Sequence, residues 1–283
     1  MAWLIAVLTM LRRMLGPDGG DIALATAAGS LLQLTLAGIL AGAAVGLWAS
    51  CQVAARSARI PRQLVTVVAG LLTGALASIS VLLVRGMPTG AIWVLALILG
   101  IAGAIGGALS TLRPQMIVYA GVVATLLNVF FFNVMQLNSS WLLRMFGADG
   151  TDAGNQSAGG YLAFTQALFA GVLGGYVAYR MMRREASAAG ATPRWPLYLL
   201  AGGIPGLLWI VGDIITRVGA SRLLTMASSD TAGDKLIQHG LGSSRLNTGL
   251  VLFFIGGITA MVAFGRTLPR RPDPAPAEAD PPR

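Results

Sequence analysis

The residues of this chain that could carry chemistry are few, and most of them sit inside apolar stretches. Asp213 lies in LLWIVGDIITRV, with Arg217 four residues on. A carboxylate at the bilayer centre costs about 2.5–3.5 kcal/mol even on the insertion scale and less near the interface. The i,i+4 spacing lets the pair neutralise itself on one helix face. Two roles follow for Asp213 and Arg217: a substrate- or proton-coupling pair on a transport path, or a salt bridge snorkelling at the outer interface, and the second is the commoner. Asn128 and Asn133 sit in another apolar stretch and Gln33 in a third. Buried amides either line a polar path or pin helices together.

A second set of acids falls in a motif written twice. Residues 13–21 read RMLGPDGGD and residues 144–152 read RMFGADGTD, 131 residues apart. Asp18, Asp21, Asp149 and Asp152 would offer oxygen ligands to a hard cation, but they lack the alternating ligands of a calcium loop. The structural reading is favoured: Gly16 and Gly147 end a short helix, and Asp21 and Asp152 cap the next one. His239 and Cys51 are the only residues of their kinds, and no HExxH, Walker A, GxSxG or dinucleotide fingerprint occurs. With almost no candidates for nucleophilic or metal catalysis, no enzyme activity, metal site or cofactor is expected. A single cysteine also excludes an intrachain disulfide.

The elements that must position these residues follow from composition. Hydrophobic residues make up 55% of the chain and charged residues 11%, against about 25% charged in a soluble domain. Reading from charge to charge gives seven uncharged stretches: 22–55, 63–84, 86–112, 114–143, 153–179, 195–212 and 246–265. The shortest has 18 residues, against about 20 needed to cross the hydrocarbon core. Backbone polar groups in lipid must be satisfied within each segment, so the spans are helices. The expected fold is an all-α, multi-pass membrane protein with seven transmembrane helices, its natural partner the lipid bilayer. The net charge of +9 does not indicate nucleic-acid binding, because the arginines sit at helix ends rather than on an aromatic-interleaved face.

Arginine placement sets the orientation. The first-to-second, third-to-fourth and fifth-to-sixth connections and the C-terminal tail carry 12 basic residues, against 8 on the other side. This predicts a bacterial cytoplasmic (inner) membrane protein with its N-terminus outside and its C-terminus in the cytoplasm. The opening MAWLIAVLTMLRR lacks the charge order of a secretory signal and is too short to span, so residues 1–16 read as an interfacial amphipathic helix. Residues 246–265 form the last span after a polar loop that contains His239, and residues 269–283 read as a disordered, Pro-rich tail.

The twinned motif opens a longer correspondence. Ala37-Gly38 and Gly42 recur as Ala170-Gly171 and Gly175, at an offset of 133. Pro61-Arg62, Ala69-Gly70 and Arg85 recur as Pro193-Arg194, Ala201-Gly202 and Arg217, at 132, and Thr111-Leu112 is echoed by Thr267-Leu268. The order predicts two parallel three-helix repeats, over residues 17–113 and 138–268, joined by a linker helix at 114–137. In topology alone this resembles the three-plus-one-plus-three plan of the SWEET transporters. The Pro-Gln pair expected in both units occurs once, at Pro114-Gln115, and no family is assigned. In this alignment Val81 stands at the Asp213 position, so the acid breaks the symmetry.

Gly38, Gly42 and Gly46 fall on one helix face, and Gly171 and Gly175 begin the same stripe. Such faces let helix backbones touch, inside a monomer or against an oligomer or membrane-complex partner, with packing inside the monomer favoured. The leading expectation for function is a transporter or permease-like protein for a neutral or apolar small molecule, because so few charges lie within the membrane. The alternative is a non-catalytic subunit that assembles or anchors a larger membrane complex.

Overall fold

The computed structural model describes residues 20–56, 61–82, 89–188, 190, 193–226 and 232–267. They form eight helices: α1 (Gly20–Arg56), α2 (Arg62–Leu82), α3 (Thr89–Leu109), α4 (Gln115–Leu137), α5 (Ser139–Met145), α6 (Asp152–Ala188), α7 (Trp195–Met226) and α8 (Ala232–Gly265). All but α5 contain a segment long and apolar enough to cross a membrane. The exposed surface agrees. Leu64, Val68, Leu71, Leu72, Leu76 and Ile79 form a continuous exposed apolar face on α2. A water-facing helix would put charges there, whereas a lipid-facing one needs none. The fold is therefore compatible with a polytopic helical membrane protein.

Helices α1, α2 and α3 pack together as one trio, and α6, α7 and α8 as another. In each trio the second and third helices share the largest interface and the first and second the smallest. The interfaces are built on glycine. A Cβ at Gly42 would strike the backbone of Gly103, and one at Gly175 would strike the backbone of Gly256. Gly38 faces Ala102 as Gly171 faces Ile255. Gly70 rests on Gly103 and Gly107, and Gly202 on Gly256 and Ala260. Gly74 meets Gly100 as Gly206 meets Phe253. Backbone-to-backbone approach of this kind is what would hold helices together in lipid, where no hydrophobic drive acts between them. Gly38, Gly42, Gly46, Gly171 and Gly175 are all buried within the chain. The faces that could have met a partner are thus filled by neighbouring helices.

α7 is the hub. It packs on α6 and α8 within its trio, on α4, and on α1 and α3 of the other trio. Gly212 lies against Leu32 and Leu36 of α1, and Gly219 against Leu31 and Ile98. α4 lies against α6 and α7, with Gly121 under Ile204.

Two sequence expectations need correction. Residues 232–245, read as loop and containing His239, are the first part of α8. Charge marks where a helix leaves the hydrocarbon, and a helix does not stop there. The cap of α6 is also not Asp152, which is the first helical residue. The hydroxyl of Thr151 accepts from the Gly154 N–H at 3.1 Å, and Asp149 orients Thr151 by accepting from its hydroxyl and its N–H. These contacts hold the Asp149 carboxyl below the usual carboxylate range, the Thr151 hydroxyl contributing most.

The expected end of α5 is present. Gly147 adopts φ +91°, a conformation open to glycine without a Cβ penalty. Its N–H donates to the Arg144 carbonyl, and the Ala148 N–H to the Leu143 carbonyl, which closes a Schellman turn. The interfacial segment 1–16, Gly16, Asp18 and the tail lie outside the described residues, as does the side chain of Asp21.

Candidate functional site

The polar groups inside the helical bundle gather on α7 and on the α4 face beside it. Asp213 is buried, at 1% exposure, and its carboxylate accepts from Arg217 Nε at 2.8 Å, while the Arg217 side chain remains 47% exposed. One further cation bears on it. Half-buried Arg245, at the start of the apolar part of α8, lies within electrostatic reach of Asp213. The seam between α7 and α8 explains how. Gly206 meets Phe253 and Gly249, and Ile210 meets Gly249. The next turn along each antiparallel helix brings residue 213 toward residue 245. Asp213 is therefore clamped from its own helix and from across the seam. In the sequence Arg217 is legible as the i,i+4 partner, whereas Arg245 reads as a charge of the polar loop before the last apolar stretch. The signal was available: residues 245, 249 and 253 form one i,i+4 stripe.

The three amides separate sharply. Gln33 is exposed on α1, away from the interior. Asn133 is half-buried and donates to the Val129 carbonyl of its own helix at 2.8 Å. Asn128 is 1% exposed, near the middle of the span Gln115–Leu137. Its amide lies where a Cβ on Gly174 of α6 would be. Among the described residues neither Nδ2 nor Oδ1 of Asn128 has a hydrogen-bond partner, and neither does the indole N–H of Trp209 on α7. Phe132, one turn beyond Asn128, packs on Trp209 with ring centroids 4.7 Å apart. Leaving a buried amide or N–H unsatisfied costs about 1–3 kcal/mol per group, and more in hydrocarbon.

α7 carries a proline at this level. Pro205 lies inside the helix, among Gly202, Gly203 and Gly206, which removes one backbone donor at mid-span. Ala201, Gly202, Leu208 and Gly212 are buried on the same helix, so the weak point faces protein rather than lipid. Irregular backbone at membrane depth is tolerated where protein or a cavity surrounds it.

This arrangement offers neutral donors and an acceptor near mid-span, beside a helix with a proline in its interior. The one buried carboxylate among the described residues, that of Asp213, is already ion-paired. Among the described residues no three His, Cys, Asp or Glu side chains lie together in a way that could hold a metal ion. Comparison of the chain with protein-family models, curated proteins and solved structures gives no match.

Proposed function

We propose that this protein is a transporter or permease for a neutral or apolar small molecule, built from two copies of a three-helix unit joined by α4. The unpartnered amide of Asn128 carries this reading. A chain selected only for stability would place an aliphatic side chain there, because an unmet amide at mid-bilayer is a net cost. Asn128 and the Trp209 N–H would instead hydrogen-bond a passing solute. Pro205 and its flanking glycines fit a helix able to bend as one trio rocks against the other, the behaviour expected of Gly/Pro-containing spans at a repeat interface. The clamped Asp213 then holds α7 to α8 at the outer end and is not a carrier of charge.

The matched glycine contacts support the duplication. They relate first helices by 133, second helices by 132 and third helices by 153 residues, each offset repeated at more than one contact. On this register Thr111 corresponds to Phe264, not to Thr267. The arginine distribution supports a cytoplasmic C-terminus and residence in the plasma membrane.

The second reading, a non-catalytic subunit of a membrane complex, draws on the same glycine seams, since backbones locked in contact make a good scaffold. Flux and purification separate the two. A proteoliposome flux for neutral solutes that depends on the protein, with no stoichiometric partner retained in mild detergent, supports transport. A retained partner and no flux support the subunit.

A further inference from the structure

A cleft of about 480 Å³ opens at the end of the first trio, where α2 begins, α3 ends and α4 begins. Its walls mix apolar surface, including Pro114, with the polar residues Gln63, Thr66, Ser110, Thr111, Arg113 and Gln115. Thr66 and Ser110 are buried, at 1% and 0% exposure. These side chains lie at or just beyond the ends of three apolar spans, the depth at which lipid headgroups sit.

The same place in the second trio is full. The offsets of the glycine contacts carry Gly46 to Tyr179, Thr66 to Tyr198, Ser110 to Ala263 and Thr111 to Phe264. There Tyr198 lies 5.8 Å from Tyr179 and stacks on Phe264 at 4.5 Å between ring centroids. Arg183 donates to the Tyr179 hydroxyl at 2.9 Å. One backbone plan thus carries an aromatic plug in one trio and a hydroxyl-lined opening in the other.

We propose that this cleft binds an anionic, hydroxyl-bearing group of the polyol-phosphate class. The hydrogen bonds define the complementarity. Thr66, Ser110 and Thr111 each donate to a carbonyl of their own helix, those of Gln63, Gly107 and Ala108, at 2.6–2.8 Å. Their protons are engaged, so each hydroxyl oxygen can only accept further; half-buried Thr111 offers its oxygen to a ligand hydroxyl, while buried Thr66 and Ser110 form the closed inner wall. The Gln115 amide is turned to Ser50 Oγ at 3.4 Å. Arg113 contributes a charged fork of donors that suits a phosphate. No acid competes for it along its own part of the chain: from residue 22 to residue 148 there are six arginines and no Asp or Glu. The phosphate could belong to a glycerol-type lipid headgroup or to a free phosphate ester. The proposal uses the duplication for its comparison with the second trio and is independent of the transport reading.

The test uses the full chain in nanodiscs. Glycerol 3-phosphate is titrated by calorimetry, and retention of phosphatidylglycerol over phosphatidylcholine is read by native mass spectrometry. The variants are Arg113→Gln, which changes an exposed side chain, and Thr66→Tyr, which installs the second trio's residue. The proposal expects binding of at least one probe, weakened tenfold or more in both variants. Binding of lipid alone identifies a headgroup site, and binding of glycerol 3-phosphate alone identifies a site for a free ester. If Thr66→Tyr does not fold, Arg113→Gln decides. No preference for either probe, or unchanged binding in either folded variant, overturns the proposal. The duplication fails separately, if the two trios of an experimental structure do not superpose at offsets of 133, 132 and 153.

Discussion

Gly42 of α1 lies directly on the backbone of Gly103 of α3, so that a single added methyl group would collide with a carbonyl that cannot turn aside. Gly175 stands in the same relation to Gly256. Gly42→Ala and Gly175→Ala should each lower stability by about 1–3 kcal/mol, the usual cost of overpacking. Gly160 on α6 is exposed with open space at its Cβ, so Gly160→Ala should be neutral or raise stability by about 0.5–1 kcal/mol. Thermal unfolding in detergent measures all three. Equal tolerance at residues 42, 175 and 160 would contradict the close-packed seams.

The clamp on Asp213 predicts an asymmetry between its partners. Asp213→Ala should cost about 1–3 kcal/mol, because it removes the charged acceptor of the Arg217 N–H and the charge facing half-buried Arg245. Asp213→Asn should cost less, since the amide oxygen can still accept from Arg217. Arg217→Ala should cost about 0–1 kcal/mol, because that side chain is half exposed and Arg245 still faces the acid. Denaturant unfolding of the three variants gives the order. An Arg217→Ala loss as large as that of Asp213→Ala would remove Arg245 from the account.

Asp149 should make the start of α6 sensitive to acid. Its pKa is lowered in the folded protein by bonds from Thr151. The stabilisation it lends is complete above the ordinary carboxylate range and is lost as pH falls through the lowered folded value. The Thr151 amide shift, followed by NMR, should titrate with a midpoint below that of an aspartate in an unstructured peptide. Asp149→Ala should abolish the transition. A midpoint at or above the peptide value would contradict the capping geometry.

Cys51 is the only cysteine of the chain and is exposed near the end of the span Leu31–Gln52. In the proposed orientation, with the N-terminus outside, it would lie on the cytoplasmic side. A membrane-impermeant maleimide should leave it unlabelled in intact cells and label it after permeabilisation. Labelling of intact cells would invert the proposed orientation.

Much of this arrangement could be read from the residues, for identifiable reasons. Spans were legible because charge is excluded from hydrocarbon, and the Gly147 turn because only glycine enters that conformation cheaply. The start of α8 was not, since a helix can continue well past the last apolar residue. Nor was the Thr151 cap, because Thr151 and Asp152 are both good capping residues and only the Asp149 bonds choose between them. The amides were the hardest. Gln33, Asn133 and Asn128 look alike as letters, yet one is exposed, one bonds its own helix and one is buried without a partner. That difference depends on helix rotation against α6 and α7, which a span's composition does not encode. The third-helix offset in the proposed duplication likewise rests on the contacts of Gly103 and Gly256, which the Thr-Leu echo does not match.

The central claim is that Asn128 is kept for a passing solute at the expense of stability, and one paired measurement on Asn128→Leu tests it. Leucine removes two unsatisfied polar atoms, so the variant should be at least as stable as the parent, by up to about 1–3 kcal/mol. Its flux of neutral solutes in proteoliposomes should fall tenfold or more. A variant that is markedly less stable, or one that is stable and transports as the parent does, would contradict the account.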